Sequence, residues 1–440
     1  ERRDQLMGKS YFIETFGCQM NKGDSDLMAH SLEKAGLRRA SGEETADIVV
    51  FNTCSVRAHA EERALARIRS ARSKGQALIV VTGCMTQRLG KRLLAQGYAD
   101  LVVGPYQSPR LGEILSSGGG ARAYLSQDHR DFAPRTDEAA AGRRDELPFH
   151  KWVTITHGCE NYCSYCIVPY VRGRLISFPS EAILRHIRQC VEGGATEITL
   201  LGQNVNQYGM DSGDIPFHRL LALAAETPGL LRVNFLTSHP MDFRDDIVRV
   251  IADHGNISRS VHLPLQSGSD RVLALMNRKY TLERYASIIA HLERTLPDHA
   301  VSTDLIVGFP GETEDDYELT LEAVRRFRFD EAFMYAYSPR EGTPSFAMEE
   351  GIGRERKLER LQNLIDLQRA ISREKLLARV DRAEEIIVEG PSKKSPDEYR
   401  GRTYLNHPAV LPAGPADVGR KVSVIIKKLR GSTLYGERSA

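Results

Sequence analysis

Cys159, Cys163 and Cys166 stand in the pattern C-x3-C-x2-C within HGCENYCSYCIVPYVRGR (157–174). A loop this short can present three thiolates to one metal centre. On a cubane iron–sulfur cluster, three thiolates serve three of the four irons and leave the last open to chelate a small molecule. Zinc is the competing occupant. A structural zinc site takes four ligands, commonly as two spaced pairs. No fourth Cys or His follows closely here, although His157 lies just upstream. The spacing alone leaves both metals open.

A second set is dispersed. Cys18, Cys54 and Cys84 are 36 and 30 residues apart, with no short motif between them. Each closes an apolar, strand-like run: YFIETFGC (11–18), DIVVFNTC (47–54) and ALIVVTGC (77–84). One such cysteine alone would be a small buried hydrophobe. Three in the same position differ, because the carboxyl ends of parallel strands line one edge of a sheet, where ligands bind. The seventh cysteine, Cys190 in LRHIRQCVEGG, sits on an amphipathic helix away from the others and reads as a core or surface thiol.

The elements that must position these thiols follow from periodicity. Over residues 10–115 the three runs alternate with amphipathic stretches such as Asp24–Ala35 and Ala58–Ser73, which implies βαβ units and a parallel, Rossmann-like α/β domain. Residues 119–148 are polar and glycine-punctuated and read as a connector. Candidate strands resume at 152–159, 197–204, 231–238, 260–266, 301–309 and 331–338, separated by helical patterns. Six βα units predict a partial (β/α)6 barrel rather than a complete eight-fold one. A long charged helix is predicted over 354–379, and the tail from 379 to 440 turns to short β-like runs, suiting a small all-β, OB-like barrel.

Polar residues collect at the carboxyl ends of the barrel strands, where catalytic and cofactor-binding groups of such folds gather. They are Gln203 and Asn204, Ser238, Gln266, Asp304 within the fifth strand, and Tyr337 with Ser338. Arg172 and Arg174 follow the cysteine loop and could neutralise a reduced cluster, a carboxylate or a phosphate, or be solvated.

Bulk composition bounds the partners. The chain has 440 residues, 41% hydrophobic and 27% charged, enough for two to four globular domains. The odd count of seven cysteines does not suit a disulfide framework. No apolar run approaches the ~18 residues that cross a bilayer, and the charged start ERRDQLMGKS has no hydrophobic signal core. These features predict a reducing cytoplasmic setting and no membrane partner. Net charge is only +2, so any nucleic-acid signal must be local. From Gly390 to Ala440 there are ten Lys and Arg against four Asp and Glu, with KKLRGS (427–432) and PSKK (391–394) prominent. A second basic stretch, Arg57–Lys74, carries six against two. A basic β-module suits contacts to an RNA backbone.

Several longer segments resemble one family. ETFGCQMN (14–21), NTCSVR (52–57), TGC (82–84), CSYCIVPYVRGR (163–174), LLGQNVNQYG (200–209), LPLQSGSDRVLALMNRKY (263–280) and DLIVGFPGETEDDY (304–317) resemble the methylthiotransferases, a family of radical S-adenosylmethionine enzymes. VEGPSKK (388–394) and GRTYLN (401–406) resemble their C-terminal TRAM domain. GCQMN and NTCSVR match best the branch acting on N6-isopentenyladenosine in tRNA. After VRGR the chain reads Leu-Ile-Ser, where the family pattern has Glu followed by polar or basic residues.

The resemblance implies two 4Fe-4S clusters, one on Cys159, Cys163 and Cys166 and one on Cys18, Cys54 and Cys84. It also implies S-adenosylmethionine as cofactor, with Tyr165, Gln203, Asn204, Ser238, Gln266, Asp304 and Tyr337 as candidate contacts and no catalytic side chain beyond the clusters. One cofactor molecule, at the open iron of the first cluster, would give a radical that takes hydrogen from adenine C2. A second would supply a methyl group, while the other cluster carries sulfur. The implied domains are 9–118 with the auxiliary cluster, a connector over 119–148, the radical core over 149–378 and TRAM over 379–440. The implied partners are the anticodon loop of tRNA, where an adenine can be unstacked, and an external low-potential electron donor. Two alternatives stay open: the same chemistry on threonylcarbamoyladenosine in tRNA or on a ribosomal protein, and an RNA-binding protein whose clusters are structural or sensory.

Overall fold

In the computed structural model, which describes residues 7–17, 19–55, 58–75, 77–117, 122–126, 149–393, 395 and 397–439, the apolar runs of the N-terminal region become strands of one sheet. The chain runs β1 (Ser10–Thr15), α1 (Gln19–Lys34), β2 (Arg38–Arg39), β3 (Ile48–Thr53), α2 (Ala58–Lys74), β4 (Leu78–Gly83), α3 (Cys84–Ala95), β5 (Leu101–Val103), α4 (Leu111–Ser117) and β6 (Ala123–Tyr124). All neighbours pair in parallel, in the order β2-β1-β3-β4-β5-β6.

Runs apolar at every position need cover on both faces, because successive side chains point to opposite sides. Ile48, Val50 and Val80 pack with Met28 and Leu32 of α1 and Leu111 of α4. Val49, Phe51 and Val81 pack with Ile68 of α2 and Met85 and Leu89 of α3. Each such buried side chain contributes about 1.5–3 kcal/mol, and a charge at Phe51 would break the second layer.

β6 lies inside the stretch expected to be a connector. It joins the edge through main-chain bonds, Val102 N to Arg122 O and Gly104 N to Tyr124 O, and Ala123 and Tyr124 pack against the two apolar layers. A two-residue strand leaves no periodicity to detect. The rest of the connector falls largely outside the described residues.

The barrel begins with β7 (His150–Thr154), followed by β8 (Thr156–His157), α5 (Val168–Arg172) and β9 (Ile176–Ser177). The single strand expected over 152–159 is thus two: β7 pairs with β10 (Glu197–Leu201), whereas β8 pairs antiparallel with β9. Gly158 explains the end of β8, since its φ is +75° and a Cβ there would meet Arg174 O at 1.8 Å.

From α6 (Ser180–Glu192) the βα alternation proceeds through β10, α7 (Phe217–Ala225), β11 (Arg232–Phe235), α8 (Asp245–Asp253), β12 (Ser260–His262), α9 (Asp270–Leu275), α10 (Leu282–Thr295), β13 (Ala300–Val307), α11 (Glu314–Phe327), β14 (Glu331–Ala336) and α12 (Arg354–Leu377). Hydrogen bonding divides the six barrel strands into two sheets, β11-β10-β7 and β12-β13-β14, and Val233 and Ile257 form a parallel bridge. Strands β10 to β14 stop two to four residues before the predicted ends, so the polar residues expected at strand ends stand in the loops beyond them.

β15 (Ala383–Pro391), β16 (Glu398–Thr403), β17 (Pro408–Pro412), β18 (Lys421–Arg430) and β19 (Thr433–Arg438) close into a five-stranded barrel in the order β15-β16-β17-β19-β18. Closure removes the sheet edges, and Ile386, Val388, Leu411, Val424, Ile426 and Leu434 fill the interior. The chain divides into two compact units. One holds the described residues up to 126 with 154–162 and 166–186; the other holds 149–153, 163–165 and everything from 187 onward. Among the described residues, no helix is long and apolar enough to cross a membrane.

Candidate metal and cofactor sites

In the first unit, Cys54 directly follows β3 and Cys84 opens α3. Thr53 pairs with Gly83 in the ladder, so the two cysteines leave neighbouring parallel strands at the same level. Both are buried, 1% and 2% exposed. Cys18 falls outside the described residues, but its predecessor Gly17 does not. A Cβ on Gly17 would lie 2.3 Å from Cys54 Cβ, and the φ of +106° also demands glycine. Gly83 has the same double constraint: φ is +89° and an added Cβ would meet Thr53 O at 2.3 Å. The glycines of FGC and TGC are therefore what lets these strand ends approach.

Asparagines hold the strand ends together. The Asn21 amide donates to Phe16 O at 2.8 Å and Thr53 O at 2.9 Å, while Asn52 Nδ2 donates to Asn21 O at 2.7 Å and Ser25 Oγ at 2.8 Å. Arg172, 2% exposed, reaches the same place from α5. Its Nε donates to Cys84 Sγ at 3.2 Å, and its Nη2 donates to Asn21 Oδ1 at 3.2 Å and Asp24 Oδ2 at 2.5 Å. A guanidinium beside a buried sulfur stabilises the thiolate, which is the metal-binding form. Arg174 stays at the surface, its side chain 80% exposed and 4.0 Å from Glu160.

Cys159 and Cys166 also belong to the first unit. Cys159 N donates to Gly173 O, fixing the base of the cysteine loop. Gly173 has a φ of +65°, and a Cβ there would meet the Tyr106 hydroxyl at 2.2 Å. His157 packs edge-on against Tyr106, and burial, reinforced by Arg172, holds its pKa well below the usual imidazole range.

The second unit holds Cys163, Ser164 and Tyr165. Ser164 is tied down through three bonds: its N donates to Met276 O, its Oγ to Leu275 O, and its carbonyl accepts from Ser345 N. Arg278 Nη1 donates to Cys163 Sγ at 3.3 Å and to Tyr165 Oη at 3.4 Å. Burial acts to lower the Arg278 pKa, but Tyr165, Tyr280 and Cys163 outweigh it and keep the guanidinium charged.

Among the described residues, no three His, Cys, Asp or Glu side chains converge closely enough to hold one metal ion.

The seven residues expected at the cofactor separate into two groups. Gln203 Oε1, Ser238 Oγ and Gln266 Oε1 are buried and have no hydrogen-bond partner among the described residues. Such atoms cost about 1–3 kcal/mol each unless a water or a ligand meets them. Gln266 has a φ of +72°, and Thr237, beside Ser238, has +69°. Strain of this kind gathers at functional sites. The other four are already engaged. Asn204 donates to Asp242 at 2.6 Å and caps the turn after β10 by accepting from Asn206 N. Asp304 lies 3.3 Å from His262 Nε2, Tyr337 donates to Ser345 Oγ at 2.9 Å, and Tyr165 meets Arg278 and stacks edge-on with Phe309. Cys190 is buried on α6, in keeping with a core thiol.

Residues 10–104 match an uncharacterized protein family, UPF0004, and residues 153–324 match the radical SAM superfamily. Over the whole chain, the sequence is 41% identical to the tRNA-2-methylthio-N(6)-dimethylallyladenosine synthase of Moorella thermoacetica, covering 98% of each chain. The chain belongs to that synthase family. The Treponema pallidum synthase is 39% identical, over 97% of this chain and 98% of that one. Among solved structures, the radical S-adenosylmethionine methyltransferase TsrM from Kitasatospora setae aligns with a TM-score of 0.58 over 77% of both chains at 14% identity, a likeness of fold alone.

Within this synthase family member, Arg278 is a buried charge at the cysteine loop, bonded to Cys163 and Tyr165, that motif reading passed over. It stands inside LPLQSGSDRVLALMNRKY, flanked by Asn277 and Lys279 at φ +54° and +59°. Two left-handed residues turn the backbone so that a charged side chain is buried. The available signal was a lone Arg in an Asn-Arg-Lys turn, which an exposed surface turn would equally explain.

Proposed function

We propose that this protein is a radical S-adenosylmethionine enzyme converting N6-isopentenyladenosine beside the anticodon of tRNA to its 2-methylthio derivative. Identity of about 40% over the full span of the named synthases carries this reading. It favours the isopentenyl substrate over threonylcarbamoyladenosine or a ribosomal protein. The orphaned amide and hydroxyl oxygens support the cofactor, because they suit the ammonium and ribose hydroxyls of S-adenosylmethionine.

Cys159, Cys163 and Cys166 would hold one 4Fe-4S cluster, and Cys18, Cys54 and Cys84 a second. When bound, these groups with S-adenosylmethionine supply radical removal of the C2 hydrogen and the sulfur and methyl that replace it. Gln203, Ser238 and Gln266 would orient the cofactor, with Asn204, Asp304 and Tyr337 bracing the loops that carry them. Arg172 and Arg278 offset negative charge on the sulfurs of Cys84 and Cys163. Tyr165 would sit against the adenosine. Lys427, Lys428 and Arg430 on β18 would meet RNA phosphates, after which the base must leave its stack. The division into an auxiliary-cluster domain (9–118), connector (119–148), radical core (149–378) and TRAM barrel (379–440), an external low-potential electron donor, and a cytoplasmic setting complete the proposal.

The test is nucleoside mass spectrometry of tRNA from a strain lacking the gene. Loss of 2-methylthio-isopentenyladenosine, with isopentenyladenosine accumulating and the gene restoring the product, is expected. Unchanged levels would refute the reading.

A further inference from the structure

The sheet β12-β13-β14 of the second unit has two unlike faces. Successive residues of a strand point to opposite sides. On β13, Val301, Thr303, Leu305 and Val307 are buried, and Thr303 meets Tyr285 of α10, so this is the face that helices cover. The alternate residues Ser302, Asp304 and Ile306 pair with Glu331, Phe333 and Tyr335 of β14, so all six share the inward face of the barrel. His262 of β12 joins them, paired with Ser302 and sharing a hydrogen bond with its hydroxyl at 3.0 Å.

A (β/α) barrel ordinarily fills its interior with layers of branched apolar side chains. This face does not. Phe333 and Tyr335 are 41% and 38% exposed, and the side chains of Asp304 and His262 are 27% and 16% exposed. Open aromatic rings beside a few polar groups make a ligand seat rather than a packed core. The face also adjoins the candidate cofactor residues. Asp304 O accepts from Gln266 N at 2.8 Å, and Ile306 N donates to Gln266 O at 2.9 Å. Ile306 packs against the buried group of Val272, Met276, Phe309 and Tyr337, on which Tyr165 of the cysteine loop also rests.

The chemistry of the face selects its occupant. Phe333 stands edge-on to His262, ring centroids 6.0 Å apart, and opposite Asp304 in the strand register. An apolar chain joined to a base through a single N–H suits both neighbours: hydrocarbon against Phe333, Tyr335 and Ile306, and the N–H toward the carboxylate of Asp304, which only accepts. A chain ending in a carboxylate would instead meet Asp304 and Glu331, with no Lys or Arg among the paired residues to offset it.

We propose, on the isopentenyladenosine reading of the substrate, that this inward face seats the N6-isopentenyl chain and that Phe333 is a specificity-determining residue.

Fluorescence anisotropy titration of an anticodon stem–loop RNA tests this. The full chain carries its clusters and S-adenosylmethionine but no reductant, so nothing turns over. The same RNA is used with adenosine, N6-isopentenyladenosine or N6-threonylcarbamoyladenosine at the target position. The wild type should bind the isopentenyl RNA at least about tenfold more tightly than the adenosine RNA, the discrimination that an apolar seat gives against a missing hydrocarbon group. Phe333→Ala should abolish that preference by weakening the isopentenyl RNA alone, and Phe333→Leu should keep part of it. Phe333 is 41% exposed, so both variants should melt with the wild type. If Phe333→Ala keeps the preference, or weakens both RNAs equally, the seat at Phe333 is refuted while the substrate reading stands. Equal binding of all three RNAs by the wild type also refutes the seat. Preference of the wild type for the threonylcarbamoyl RNA refutes the substrate reading and the seat with it.

Discussion

Arg172 Nε lies 3.2 Å from Cys84 Sγ while the other arm of the same guanidinium holds Asp24 at 2.5 Å. The side chains of Arg172 and Asp24 are 2% and 12% exposed, so neither charge has water to fall back on. Removing one partner of such a pair costs about 3–5 kcal/mol, because the other is left buried and uncompensated. Arg172→Met should therefore lower the thermal midpoint markedly, and adding Asp24→Asn should recover much of the loss. Thermal unfolding of the two single variants and the double measures this. Strictly additive losses would show that the two residues are not coupled.

The unpartnered oxygens predict a separation of stability from binding. Gln266→Ala removes a buried atom that has no partner, so unfolding stability should hold or rise slightly. Affinity for S-adenosylmethionine should fall about tenfold, equivalent to ~1.4 kcal/mol. Asn204→Ala should do the reverse, costing about 1 kcal/mol of stability through the lost cap. Denaturant melts paired with cofactor titrations would show whether the two variants part company in this way.

Glycine chemistry gives a sharper effect. Gly83 combines φ +89° and ψ −168° with an added-Cβ contact of 2.3 Å to Thr53 O. Gly83→Ala should destabilise the first unit by more than the roughly 1–3 kcal/mol of backbone strain alone. Gly97 also has a positive φ, +71°, but nothing lies near its added Cβ. Gly97→Ala should cost only the strain, and comparison of the two by circular dichroism melts isolates the steric contribution.

Acid stability should carry the mark of His239. Burial first, then Arg278 and Lys279, push its pKa from 6.5 down to about 2. The unfolded chain takes up this proton near pH 6.5 while the folded chain refuses it. Stability is therefore present in full above about pH 6.5 and is lost as pH falls, by about 1.4 kcal/mol per pH unit for this one group. The loss would continue until pH approaches the folded value. The ring sits edge-on to Tyr280, which makes His239→Phe a conservative replacement. Its urea midpoint should fall less steeply between pH 7 and pH 5 than that of wild type. Parallel slopes would assign the acid lability elsewhere.

Much of this was legible from sequence where one chemical pressure acted alone. Continuous apolar runs announced β3 and β4, and strand-end placement selected Cys54 and Cys84. The βα alternation located all six barrel segments, and Gln203, Ser238 and Gln266 stand with unmet hydrogen bonds where strand ends were expected. What escaped notice depended on tertiary context. β6 depends on the edge of β5 and on packing of Ala123 and Tyr124 against layers built far away in sequence. The first barrel strand is split because Thr156 and His157 pair with β9 instead of continuing the β7 ladder, a partner some twenty residues further along the chain. Asn204 and Tyr337 were expected at the cofactor, and their hydrogen bonds to Asp242 and Ser345 are a bracing arrangement that no local pattern announces. Arg278 is the converse, a charged residue whose burial only the folded turn reveals.

The most direct test of the central claim, two cluster sites on two sets of three cysteines, is iron and sulfide content after anaerobic reconstitution. The full chain should hold about eight irons, as two 4Fe-4S clusters require, and Cys84→Ala should reduce this to about four. About four irons in the wild type, unchanged by Cys84→Ala, would contradict the second site.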